Sequence, residues 1–161
     1  MSPAPLLNVA RYVLPRTLAE DCCEALRARG REGDELFIAL SGVVGEEGEV
    51  RFRRALVPAQ TCHHTPEGLL VTIPGEAIFR VSRDCHEHGE ILAGQIHAHP
   101  TDAYHSGADD ALALVRLPGS LSIVVPQFAS GPVRARRWSV HRRDAETRWR
   151  PLPREMTLEV T

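Results

Sequence analysis

The sequence predicts one α/β domain, a mixed β-sheet flanked by helices, spanning residues 1–161. Short apolar runs bounded by Gly and Pro recur along the chain and read as strands. Between them lie two stretches with helical apolar spacing and a start signal, at about residues 17–29 and 74–83. A length of 161 residues suits a single domain that buries its own core.

Leu6 to Leu14 reads as a short strand or extended arm ending at Pro15. Thr17-Leu18-Ala19-Glu20 has the form of a capping box, and Gly30 stands where a helix C-terminus wants a left-handed residue. Leu18, Cys22, Ala25 and Leu26 form the stripe between them, so Cys22 and Cys23 are expected in the core rather than as reactive thiols. Glu35 to Val44 is a nearly continuous apolar strand, and Gly45-Glu46-Glu47-Gly48 turns it into a more alternating one over Val50 to Val57. Pro58 to Gly68 is polar and turn-rich, the pattern of a surface loop. Leu69 to Ile73 reads as a short strand, and Pro74 opens a helix that should bury Ile78, Phe79 and Val81. Leu121 to Val125 is a buried strand, Val133 to His141 an arginine-studded edge strand anchored by Trp138, and Met156 to Val160 a final strand.

The centre of the chain carries the chemistry. Ile91 to Ile96 is an apolar strand leading into His97-x-His99-Pro100, and side chains two apart on a strand share a face. Pro100 ends the strand. Ser106 then reads as a helix N-cap with Asp109 in the first turn of a helix running to about Arg116; Asp110 is read as further first-turn charge. Two imidazoles and a carboxylate can converge on one ion, and three protein ligands with an open fourth position describe a catalytic zinc site. Cys62-His63-His64 and Cys85-His86-Glu87-His88 also offer ligand types, but neither has a partner cluster at a recognised spacing, so both are read as loop and helix-end residues.

The run H-A-H-P…S-G-A-D resembles the JAMM motif, H-x-H-P…S-x-x-D, of the JAB/MPN-plus metalloproteases. Six residues separate His99 from Ser106, one fewer than in the common eukaryotic form. The resemblance runs from Glu35 to about Pro126 and implies a JAB/MPN, cytidine-deaminase-like architecture with zinc on His97, His99 and Asp109. It further implies that Ser106 holds the oxyanion. Glu35-x-x-Ile38-x-Leu40-x-Gly42 follows the family's E-x-x-G-x-L-x-G except at Ile38, which implies Glu35 as general base, with Glu32 as its competitor. The short form is similar to bacterial members linked to ubiquitin-like conjugation. That similarity implies an isopeptidase that cleaves after the C-terminus of a ubiquitin-like protein and works beside E1- and E2-like enzymes. Release of an amino acid or small adduct from a carrier protein, and a metal-free binding scaffold, are the alternatives.

Composition sets bounds on these readings. All 19 basic residues are arginine and the net charge is −2, so no nucleic-acid surface is expected. Four cysteines without a CxxC indicate reduced thiols in a cytoplasmic protein. No apolar run reaches the length of a membrane span. The sequence contains neither HExxH nor the H-x-E with P-C-x-x-C of zinc deaminases.

Overall fold

The computed structural model describes residues 6–107, 109 and 114–161. An eight-stranded mixed sheet forms the body, with strands in the order β10-β1-β3-β2-β6-β7-β8-β9. In chain order these are β1 (Arg11–Leu14), β2 (Phe37–Val44), β3 (Glu49–Leu56), β6 (Ile91–Ala98), β7 (Leu121–Val125), β8 (Ser139–Arg143), β9 (Trp149–Pro151) and β10 (Thr157–Val160). A separate two-stranded sheet pairs β4 (Thr61–Thr65) with β5 (Gly68–Thr72). Among the described residues, α1 (Arg16–Gly30) and α2 (Gly75–Glu87) complete an α/β architecture consistent with a JAB/MPN-like fold.

β6 lies at the centre, antiparallel to β2 and parallel to β7. Alternation along these strands sends side chains to two different cores. Ile38, Leu40, Ile96 and Ala98 point to the larger one, where they meet Ala19, Cys22, Cys23 and Leu26 of α1. Phe37 and Ala39 point the other way, toward Ala77, Val81 and Cys85 of α2, Val71 of β5, and Leu114 and Val115. The sheet also curls. Tyr12 of β1 donates from its hydroxyl to the Gly119 carbonyl, and Arg142 of β8 donates to that hydroxyl at 3.0 Å, across four intervening strands.

Several local expectations change. Pro15 occupies the cap position of α1 without a side-chain bond, so Thr17 sits inside the helix and its capping box does not form. The fixed φ of Pro15 starts the helix one residue early. The left-handed residue after α1 is Gly33, at φ +80°, whereas Gly30 serves close packing: a Cβ there would meet the Phe128 side chain at 2.4 Å. The segment 58–68 is not all loop, because Thr61–Thr65 forms β4 against β5. Phe79 is 64% exposed, and α2 buries Ala77, Val81 and Cys85 instead. Ala135–Arg137 is a 3-10 turn, so β8 begins at Ser139, and β9 rather than β8 forms the edge. Trp138 is buried as expected. Burial pushes the Cys22 thiol up to about 12 and the Cys23 thiol up to about 11, as core cysteines require. All four cysteines are free. Among the described residues no helix is long and apolar enough to cross a membrane.

The β2–β3 register shifts between Ser41 and Gly42, and a Cβ on Gly42 would come within 2.5 Å of the Arg51 carbonyl oxygen. Backbone cannot yield there, so Gly42→Ala should destabilise the protein by about 1–3 kcal/mol in urea unfolding. Gly75→Ala, at a first-turn position with nothing within 4 Å, should leave stability unchanged or raise it by up to about 1 kcal/mol.

Candidate metal centre

The site forms where β6 runs out. Because Ile96 and Ala98 face the α1 core, His97 takes the opposite face, and His99 just beyond the strand follows the same parity. Both imidazoles are buried, and so is Asp109. His97 Nε2 lies 3.1 Å from Asp109 Oδ1, His99 Nε2 lies 3.2 Å from Asp109 Oδ2, and the two Nε2 atoms are 3.3 Å apart. A tetrahedral ion with bonds of about 2.0–2.1 Å separates its ligands by about 3.3–3.4 Å, so this triangle fits a zinc-sized cation with little adjustment.

Asp109 is carried by the turn that Ser106 begins. The Ser106 N–H donates to Asp109 Oδ2 at 2.9 Å, and the Asp109 N–H donates to Ser106 Oγ at 3.0 Å, a reciprocal capping pair. Residues 107 and 109 are helical; Asp110 and part of the helix expected to run to about Arg116 lie outside the described residues. Burial alone would raise the Asp109 carboxyl, but hydrogen bonds with His97 and His99 and the Ser106 N–H override it and hold it far below the ordinary range. Burial dominates at His97 and keeps its imidazole neutral. At His99 burial is outweighed by Asp109 and by the charge of Glu35, which raise it. A neutral imidazole, an anionic carboxylate and a second imidazole that loses its proton to a cation form a competent ligand set.

Glu35 and Ser106 join His99 and Asp109 around one cleft of about 200 Å³, whose walls include Phe37, Leu69 to Val71 of β5, and Tyr104. Glu35 precedes β2 instead of starting it and is only 8% exposed, whereas Glu32 is exposed and lies 3.8 Å from Arg29. Burial pushes the Glu35 carboxyl up to about 7; nearby His99 lowers it and Asp109 raises it.

Other residues of the site were not singled out in the sequence. Phe37 pairs with His97 across the β2–β6 ladder, and its ring stacks on the imidazole at 4.1 Å. Strand parity could have found it, since Phe37 lies two residues beyond Glu35. Tyr104 meets His99 edge-on at 4.4 Å. Gln60 brackets the Phe37 backbone, accepting from its N–H at 2.8 Å and donating to its carbonyl at 2.9 Å. Gln95, fully buried, donates to Ser122 Oγ and accepts from the Val115 N–H. No sequence pattern announces Gln60 or Gln95. His105, next to Ser106 in the chain, contacts Ser122 Oγ at 3.2 Å and packs beside His141 and Trp149.

A left-handed turn supports the loop from behind. Gln127, Phe128 and Ala129 have φ of 55°, 50° and 60°, a conformation that costs roughly 1–3 kcal/mol per non-glycine residue. The Phe128 N–H donates to the His99 carbonyl and the Gln127 N–H to the Thr101 carbonyl, each at 2.8 Å, which fixes the main chain on both sides of Pro100. Arg27 of α1 in turn donates to the Ala129 carbonyl at 3.0 Å.

Two histidines and one carboxylate, buried at the wall of a cleft with room for a further ligand, define a metal-dependent hydrolase class of site. The comparison with known proteins agrees. Over 148 residues the chain is 34% identical to the probable metalloprotease y4jG of Sinorhizobium fredii, covering 92% of this chain and 91% of that one. The chain belongs to this metalloprotease family. No family model matches it.

Glu35 links the site to pH. In the metal-free protein its native carboxyl titrates near 7, against 4.5 for the unpaired group. Between those values the native state holds a proton that the unfolded chain has released, so stability falls as pH rises through the window. Glu35→Gln should therefore match the wild type near pH 4.5 and exceed it near pH 8 by on the order of 1–3 kcal/mol, in urea unfolding with chelator present. An increment that is the same at both pH values would show that Glu35 is not desolvated.

Proposed function

We propose that the protein is a JAMM-type zinc isopeptidase that cleaves after the C-terminus of a ubiquitin-like protein, from a conjugate or from a precursor. The observation that carries this reading is the convergence of His97, His99 and Asp109 beside a cleft that also holds Glu35 and Ser106. Zinc on the three ligands would supply Lewis acidity, polarising the scissile carbonyl and acidifying the attacking water.

The chain's own groups do the rest. Glu35 accepts the proton of the attacking water and returns it to the leaving amine, and a carboxyl held near neutrality is suited to both transfers. Ser106 Oγ already accepts the Asp109 N–H, so its hydroxyl proton is left to donate to the tetrahedral oxyanion. Phe37 and Tyr104 limit the rotation of the imidazoles.

Two features support an extended, narrow substrate. The cleft is small, and among the described residues β5, which lines it, pairs only with β4. Its other edge offers backbone donors and acceptors to a peptide laid alongside as an added strand. The flexible tail of a ubiquitin-like protein meets that requirement, and E1- and E2-like enzymes would build the conjugates on which it acts.

Metal analysis of the purified protein should find about one strongly held zinc at the triad, lost in His97→Ala/His99→Ala. Glu35→Ala should lower kcat by about 10²–10⁴-fold and Ser106→Ala by about 10²–10³-fold while both retain that zinc. Full activity in Glu35→Ala would remove it as base. Among candidate substrates, fusions of ubiquitin-like proteins should be cleaved in preference to carrier adducts of single amino acids. Proline placed in the tail opposite β5 should abolish cleavage; equal rates with and without proline would exclude strand addition.

A further inference from the structure

A second group of ligand atoms comes together near the cleft. Asp34, Cys62 and His64 place a carboxylate oxygen, a sulfur and an imidazole nitrogen within 4.8 Å of one another. His64 Nε2 lies 2.6 Å from Asp34 Oδ1, and Arg29 lies 3.6 Å from Asp34 Oδ2. The His64 contact is the main reason the Asp34 carboxyl is held below its ordinary range, so the group is anionic.

The arrangement repeats on β4 the device found on β6. Cys62 and His64 are two residues apart on one strand and leave the same face, while a carboxylate arrives from a distant segment. His63, between them, faces the other way and contacts Thr72 Oγ1 at 2.9 Å. In the sequence Cys62 and His64 lack a partner; the fold supplies Asp34 from the connection between α1 and β2.

We infer that Asp34, Cys62 and His64 form a second metal site, which takes a divalent cation of the zinc class and clamps the adjoining Glu35 backbone against β4. A thiolate, an imidazole and a carboxylate suit Zn²⁺ or Co²⁺, whereas Mg²⁺ and Ca²⁺ take oxygen ligands. Cys62 binds as thiolate and its proton passes to solvent. Ligands on zinc stand about 3.3–3.4 Å apart, so the Asp34–His64 contact must open by several tenths of an ångström. The His64 side chain is 60% exposed and can turn to allow it. Asp34 directly precedes Glu35 in the connection between α1 and β2. A cation there therefore ties the residue just before Glu35 to the hairpin. The clamp matters to turnover only under the proposed function; the binding stands apart from it.

Cobalt titration of wild type, Cys62→Ser, His64→Ala and His97→Ala/His99→Ala tests the site, read by stoichiometry and by the near-ultraviolet thiolate-to-cobalt charge-transfer band. Wild type should bind two equivalents and show the band. Cys62→Ser should bind one and lose the band, exposed His64→Ala should bind one with its fold intact, and the double-histidine variant should bind one and keep the band. A wild type whose only bound equivalent survives Cys62→Ser, or a band that survives Cys62→Ser, overturns the second site. If only the Cys62-dependent equivalent binds, the second site stands and the hydrolase reading falls.

Discussion

Side-chain parity along β6 is the constraint on which the rest depends. Ile96 and Ala98 must face the α1 core, because burying them stabilises the sheet by roughly 25 cal/mol for each Å² of apolar surface removed from water. Once that face is set, His97 and His99 have no choice but the other one. A one-residue slip of β6 would send both imidazoles into an apolar core and leave the ligand set without its carboxylate. The hydrophobic effect thus places the metal ligands, although none of them is hydrophobic.

Burying three ionisable groups is costly unless they satisfy one another or bind a cation. In the metal-free state Asp109 does the satisfying, bridging the two imidazoles while its remaining capacity accepts the Ser106 N–H. His97 Nδ1 is buried with no hydrogen-bond partner among the described residues, so Phe37 stacking adds to the Asp109 contact at Nε2 in orienting that ring. The support is layered and non-local: α1 holds the left-handed turn at 127–129, and that turn holds the carbonyls of His99 and Thr101. Strain spent there is offset by the large α1 core.

How much of this could be read from the sequence follows from the range of the interactions. Most of the strands, α1 and α2, and the convergence of His97, His99 and Asp109 depend on periodicity and on a short motif, and these were legible. Helix starts and turns were less so: Pro15 overrode a well-formed capping box, and Gly30 proved to be a packing residue rather than a left-handed one. Thr61–Thr65 was hidden because a polar strand in a two-stranded sheet has no buried face to impose alternation. Gln60, Tyr104 and the grouping of Asp34 with Cys62 arise from contacts across long stretches of chain, which no local pattern encodes.

The isolation of the β4–β5 hairpin has a thermodynamic consequence. Two strands alone are marginal in water, and this hairpin is held to the body by a few groups such as Val71, so this wall of the cleft should open at a lower free energy than global unfolding. A peptide added along β5 would make it three-stranded and would supply the missing order. Affinity for such a peptide would then be the intrinsic pairing strength reduced by the fraction of time the hairpin is closed. Anything that holds the hairpin shut in advance would raise affinity without touching the peptide.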